Sequence, residues 1–249
     1  MKLDLQNLQT AFINLQKRKK SNGKSSRTNP SLWNYDYIVL SLLHDTLTHL
    51  LKTSHVQKKQ YVGLALDLGC DVSPYKHFIS ESGYTLKTLD LTMEQGADYA
   101  GTVEDTGLDS ESFDLVFCTE VLEHSNDPFQ GMREIYRILK PGGHAIISCP
   151  HVWFYHPHPH DHWRFTQEGL AKLCTNVGFQ IAELHSQGGS IACLFQIINF
   201  LTFGILGAQG KIFYYILNTL GLWLDHLCPN QLFCLDFACL AKKTTLKDT

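Results

Sequence analysis

Closely spaced cysteines are missing from this chain. Its eight cysteines stand singly at positions 70, 118, 149, 174, 193, 228, 234 and 239, with no CxxC pair. That excludes a thiolate zinc ribbon and a dense disulfide scaffold. Several lie in apolar runs, where a thiol packs as a small hydrophobe, and a reducing, cytoplasmic setting follows. Charge is sparse at 18% of residues, and the net charge of −3 supplies no global attraction to nucleic acid, so none is expected as a partner. The N-terminus lacks both a continuous apolar core and a cleavage pattern, so no signal peptide is expected. No internal repeat is visible. What remains is an ordinary globular composition, 249 residues at 44% hydrophobic, enough for one large α/β domain with helical additions.

Two regions precede any strand signal. Leu3, Leu5, Leu8, Phe12 and Leu15 suggest a short amphipathic helix, and residues 17–27 (KRKKSNGKSSR) hold six Lys or Arg, read as a solvated flexible linker with an anion-binding patch as the alternative. A second helix is expected from near Pro30 to about Lys52, since its apolar positions recur at three and four residues. These form an N-terminal extension, 1–56, ahead of a main domain, 57–249. From residue 61 the period changes. YVGLALDLG reads as a buried parallel strand. A helical piece (74–82), a strand ending at Asp90, a short strand near 98–101 and FDLVFC (113–118) follow. A helix is expected over 127–139, opened by Asp127 as N-cap with Pro128 at its first position and ended by Lys140-Pro141-Gly142-Gly143. Next come a strand at 144–150, a helix at 166–177, the strand FQIAELHS and a closing strand within 232–243. Alternation of this kind specifies a Rossmann-like, doubly wound, mostly parallel sheet.

Residues 190–230 depart from that alternation and read as an apolar helical insertion before the last strand. No charged residue occurs from Ser186 to Gly210, a length that by itself suits a membrane span. Against this, Gln196, Asn199 and Thr202 recur every third residue as a polar stripe, and Gly204 and Gly207 interrupt the run. A pocket cover or a homodimer contact is the preferred expectation, with membrane-surface association as the alternative.

Asp67-Leu68-Gly69-Cys70 closes the first sheet strand. A glycine turn there lets a ligand approach the backbone, and Asp90 at the end of the second strand is placed to accept hydrogen bonds from ribose hydroxyls. Asp71 and Ser73 stand where dinucleotide binders usually carry glycine. Asp71 would repel a pyrophosphate but tolerate a sulfonium, which favours S-adenosyl-L-methionine over a nicotinamide cofactor.

Together LALDLGCDVSPYKHFI, TLDL, SFDLVFCTEVLEHSNDPFQGMREIYRILKPGGHAIISCP and HDHWRFTQEGLAKLCTNVGF resemble the class I S-adenosylmethionine-dependent methyltransferases, in the group modifying ubiquinone-type, sugar and natural-product acceptors. The likeness covers residues 61–186. It implies Asp67, Gly69 and Cys70 around the methionine part of the cofactor, Asp90 on the ribose and Leu91 beside the adenine. It also implies Val103 and Glu104 near the adenine edge, and Cys118 and Thr119 at the cofactor's floor. The family usually has Asp where this chain has Thr102, and Asp71 replaces its second glycine.

His124, after the fourth strand, is a candidate general base or else a residue bonding the loop before helix 127–139. The stretch His151 to Arg164 is rich in histidine, but Pro157 and Pro159 keep it extended, so no metal is expected. The resemblance sets a similar segment beside the acceptor, making His160, Asp161 and Arg164 candidates for orienting it; an Asp161–Arg164 ion pair pinning the loop is the alternative. The expected activity is methyl transfer to an oxygen or nitrogen of a small molecule. A non-catalytic cofactor-binding protein of the same fold and a peripheral membrane lipid or quinone methyltransferase are the rival readings.

Overall fold

The computed structural model describes residues 27–55, 63–71, 73–94, 96–157 and 159–245. The expected N-terminal helix lies outside the described residues, as does the basic run apart from Arg27. The chain divides into two compact units, 45–187 with 235–249, and 1–44 with 188–234. Helix α1 (Tyr37–His55) runs through the first junction and starts later than its periodicity suggests.

The larger unit is a seven-stranded sheet. Its strands are β1 (Gly63–Leu68), β2 (Tyr84–Asp90), β3 (Tyr99–Ala100), β4 (Phe113–Thr119), β5 (Leu139–Pro150), β6 (Phe179–Gln187) and β7 (Asp236–Lys243). The spatial order is β3-β2-β1-β4-β5-β7-β6. The pairings from β3 through β5 are parallel. This is the Rossmann-like, mostly parallel architecture expected from the alternation of elements. Leu66, Leu115, Val116, Ile146 and Ile147 are fully buried, as strands covered on both faces require. Helices α2 (Lys76–Glu81), α3 (Pro128–Ile138) and α4 (Gln167–Thr175) belong to the crossovers. Asp127 caps α3 by accepting from the amides of Phe129 and Gln130, and Pro128 fills its first position.

One strand expectation needs correction. β5 begins at Leu139, not near 144, because Leu139 already pairs with Phe113 before an irregularity that spans the Pro-Gly-Gly segment. β7 is antiparallel to both neighbours. Its first residue, Asp236, pairs with the last residue of β6, Gln187. The intervening segment therefore leaves and re-enters the sheet at one point, and a strand returning from that point must run backwards.

The smaller unit holds a helical hairpin: α5 (Ser190–Leu206), a 3₁₀ turn (Gly207–Gly210) and α6 (Lys211–Leu227). Its two helices touch closely at Gly221, where an added Cβ would lie 2.7 Å from the Cβ of Phe195. Its aromatic core joins Tyr35 and Tyr214 with Phe200 and Phe203. The polar stripe seen in the sequence points inward: Gln196 and Asn199 are wholly buried and Thr202 is half-buried.

Candidate active site

The strand order reverses between β1 and β4, so a crevice opens at their carboxyl ends, where open α/β sheets bind ligands. Gly69 turns the chain away from β1. Its φ is +75°, and an added Cβ would meet Val121 Cγ2 at 2.5 Å, so no side chain fits. Asp71 (φ +47°), Ser73 (φ +46°) and Glu120 (φ +55°) are left-handed without being glycine. Such conformations persist only when surrounding contacts impose them, and they gather at functional sites. Those contacts are visible. The Ser73 hydroxyl donates to Asp67 Oδ2 at 2.8 Å, and the amide of Asp71 donates to Asp90 Oδ2 at 2.6 Å. Asp90 Oδ1 accepts from the Leu91 amide at 2.7 Å. Two backbone bonds thus aim a half-buried carboxylate at the rim, and each oxygen keeps a lone pair for a further donor.

The crevice carries negative charge. Burial first, then Asp67 and Asp90, pushes the Cys70 thiol up to about 12, so it stays protonated and is no nucleophile. Cys118 is wholly buried, and its thiol is raised by burial and by Glu123, Asp67 and Glu120. Its side chain therefore lies within the sheet and does not face an open crevice. Thr119 is buried at the strand end, while Leu91 is 54% exposed beside Asp90.

Val103 and Glu104 tie their loop to α3. Val103 packs on Gly131 of α3, where a Cβ would lie 3.1 Å from its Cγ2. Glu104 Oε1 accepts from the Asn126 amide at 2.8 Å, which ties this loop to the start of α3. Thr102 accepts from the Asp105 amide at 3.1 Å through its hydroxyl and closes a local turn.

Beyond β4 a 3₁₀ turn, Leu122–His124, sets Glu123 and His124 against the histidine-rich segment. Glu123 is wholly buried, and neither carboxylate oxygen has a hydrogen-bond partner among the described residues. Its Oε1 lies 3.5 Å from His124 Nε2 and 3.9 Å from His156 Nε2. Burial, reinforced by Glu120, raises the Glu123 carboxyl well above the ordinary range. The Nδ1 of His124 meets the carbonyl of His160 at 2.5 Å, so a neutral His124 ring carries its proton there and its lone pair on Nε2. The ligating atoms of Glu123, His124 and His156 all lie within 4.8 Å of one another, a spacing that fits a cation. That bears directly on the expectation of no metal.

The remaining candidates form the support of this cluster. Arg164 grips Asp161 with both nitrogens, Nη1 at 2.5 Å and Nη2 at 2.8 Å, and Nη2 also donates to the Phe154 carbonyl at 2.8 Å. Asp161 Oδ2 accepts from the amide of His156 at 2.9 Å. The pair expected as a loop pin is therefore formed, and it fixes the backbone that presents His156. His160 offers its carbonyl; its ring is exposed and stacks on that of His162 at 5.1 Å. The sequence places Glu120 and Glu123 with His124 after the fourth strand, where an acceptor is expected, but assigns no role to Glu123 or to His156.

Residues 66–147 match the family model described as a methyltransferase domain. A ubiquinone biosynthesis O-methyltransferase from Pseudomonas entomophila is 31% identical over 98 residues, 33% of this chain and 42% of that protein. The chain thus spans less than half the length of that curated relative. A 1,6-didemethyltoxoflavin-N1-methyltransferase from Burkholderia thailandensis, solved with S-adenosylhomocysteine, superposes at a TM-score of 0.53 with 15% identity, covering 96% of this chain and 88% of that one. A phosphoethanolamine N-methyltransferase 2 from Haemonchus contortus, solved with S-adenosyl-L-methionine, gives 0.55 with 17% identity, covering 88% and 59%. The likeness to class I methyltransferases is borne out.

Proposed function

We propose that the crevice binds S-adenosyl-L-methionine and that the protein transfers its methyl group to an oxygen or nitrogen of a small molecule. The observation that carries this reading is the Asp67–Ser73 turn locked to Asp90 at the switch point, inside the segment that matches methyltransferase domains. None of the eight cysteines forms a disulfide, which accords with a reducing, cytoplasmic setting.

The residues fit such a ligand. Asp90 would accept from the ribose hydroxyls, and the left-handed Gly69, against which Val121 packs, would turn the chain past the methionine part. The carboxylates around Cys70 suit a sulfonium and disfavour a pyrophosphate. When bound, S-adenosyl-L-methionine supplies an electrophilic methyl group that moves with cleavage of its bond to sulfur, whose electron pair stays on sulfur as the acceptor–carbon bond forms. His124 Nε2 takes the proton that a hydroxyl or ammonium acceptor must lose. Asp161 and Arg164 position His156 beside that pair and act through it.

Asp90→Ala should weaken S-adenosyl-L-methionine binding by roughly 1.5–3 kcal/mol, and Asp90→Asn by less, because one acceptor oxygen is kept. His124→Gln should lower turnover at unchanged cofactor affinity, whereas His160→Ala, whose ring is exposed, should change neither. Calorimetry with unaltered affinity in Asp90→Ala removes Asp90 from the site. Tight cofactor binding with no transfer to phenol, amine or carboxylate acceptors favours a non-catalytic binding protein.

The orphaned oxygens of Glu123 beside two imidazoles favour a second reading, in which a divalent cation joins the cluster and polarises the acceptor oxygen. Stoichiometric metal in the purified protein, with activity lost on chelation and restored by the ion, selects it; activity indifferent to chelation rejects it.

A further inference from the structure

We propose that the α5–α6 hairpin is a docking surface for an anionic lipid bilayer. This rests on the smaller unit alone and is independent of the methyltransferase reading.

The hairpin is inverted relative to a water-soluble helix pair. Gln196, Asn199 and Asn218 are wholly buried, while Leu194, Leu201, Ile205, Ile212, Ile216 and Trp223 are each more than half exposed, Ile205 at 77%. A contiguous face of that kind on a soluble protein marks an interaction surface. Most of the polar groups inside bond to one another or to backbone, as hydrocarbon surroundings favour, although Asn199 Oδ1 has no hydrogen-bond partner among the described residues. Asn199 donates to Asn218 at 2.8 Å. Asn218 donates to the carbonyls of Leu32 and Asn34, both at 2.8 Å. Gln196 donates to the carbonyl of Tyr35 at 2.9 Å. Asp225 accepts from the amides of Gly189 and Ala192, both at 3.0 Å, so the start of α5 is also satisfied.

Charge complementarity identifies the partner. Neither leg carries an Asp, Glu, Lys or Arg between Ser190 and Gly210 or between Ile212 and Leu224; charge appears only at the turn, Lys211, and at the base, Asp225. The most apolar stretch within Ser190–Leu227 is only 22% buried. Each leg has 17 residues, about 25 Å at 1.5 Å per residue, short of the roughly 30 Å of a hydrocarbon core, so the hairpin dips into a bilayer without crossing it. Six Lys or Arg lie in residues 17–27 with no acidic residue among them, and in the chain they come just before a residue of this unit, Trp33, which stacks on Tyr215 of α6 at 4.6 Å. Apolar insertion together with a basic run is the two-signal pattern for anionic membranes.

The test uses the full chain and sucrose-loaded vesicles. Vesicles with phosphatidylcholine and phosphatidylglycerol at about three to one should bind at least about tenfold more tightly than pure phosphatidylcholine. High salt should remove that excess and leave a residual binding, because insertion is not screened. Ile212→Glu with Ile216→Glu, both at exposed positions, should lower binding about tenfold or more at unchanged circular dichroism. As a readout on unaltered hairpin packing, brominated phosphatidylcholine should quench wild-type tryptophan fluorescence, and Trp223→Phe should remove much of that quenching. A folded wild type that stays in the supernatant with both vesicles overturns the proposal. If it also runs as a dimer that Ile212→Glu splits, the face belongs to a second copy.

Discussion

The sheet unit and the hairpin unit differ in what they bury and in what they leave exposed. In the sheet the hidden residues are Leu66, Leu115, Ile146 and Ile147, and the carboxylates of Asp67, Asp90 and Glu120 collect where the strands end. In the hairpin unit the amides of Gln196, Asn199 and Asn218 are hidden beside a small aromatic core of Tyr35 and Tyr214, and many large apolar side chains stand outside. Burial of hydrocarbon drives the first arrangement. The second is held by hydrogen bonds whose worth grows as water is withdrawn. A core in water and a surface meant for an apolar partner can therefore share one chain, and the proportion of apolar residues does not separate them.

The comparison can be broken hardest at the turn after β1. Gly69→Ala forces a Cβ against Val121 at φ +75°. It should cost about 2–4 kcal/mol through overpacking and backbone strain and abolish cofactor binding. Urea unfolding with parallel cofactor titration checks both; a stable variant with intact binding contradicts the close packing at this turn.

In the hairpin the same contrast predicts that polar loss outweighs apolar loss. Asn218→Leu removes the donors to Leu32 and Asn34 and the acceptor for Asn199, and should cost about 1–3 kcal/mol. Ile212→Ser on the outer face should stay within about 0.5 kcal/mol. Denaturation profiles in which the two rank the other way would mean that the outer residues hold the fold together.

The smallest effect is one of pH. Burial raises the Asp161 carboxyl, but the hydrogen bonds from Arg164 and the His156 amide outweigh it and leave the group at about 2, below its ordinary 3.8. A depressed folded value stabilises the protein above 3.8, and that contribution is lost as the pH falls from 3.8 toward about 2. Glu134, also held at about 2, acts in the same direction. Asp161→Asn should therefore flatten the acid limb of a stability–pH curve by about one proton and leave the Glu134 share. An unchanged slope would show that the Asp161–Arg164 grip is not maintained in solution.

Much of this was open to a reader of residues alone. The strands around β1, β4 and β5 announced themselves as apolar runs, and Asp127-Pro128 marked the start of α3 within one residue, because caps and buried strands depend on neighbours in the chain. Asp67, Gly69 and Asp90 were legible for the same reason, since a turn and a strand end are local facts. The meeting of Glu123 with His156 was not. The two are separated by an entire strand and helix, and only the return of the 151–164 segment to the end of β4 brings them together. The roles drawn for Val103, Glu104 and Cys118 followed position in a motif, and their packing on α3 and within the sheet was not legible there.

What the amino-acid order determined by itself was the parallel sheet, its switch-point crevice and the acidic turn that closes it, since each is written in spacing and local charge. What tertiary structure alone decided was direction: that β7 runs antiparallel, that Arg164 clamps Asp161 beneath His156, and that the stripe of Gln196 and Asn199 turns inward. Periodicity shows that a helix has two faces but carries no sign for which one is covered. That sign comes from the partners each face finds, here the backbone of residues 32–39 and the amide of Asn218.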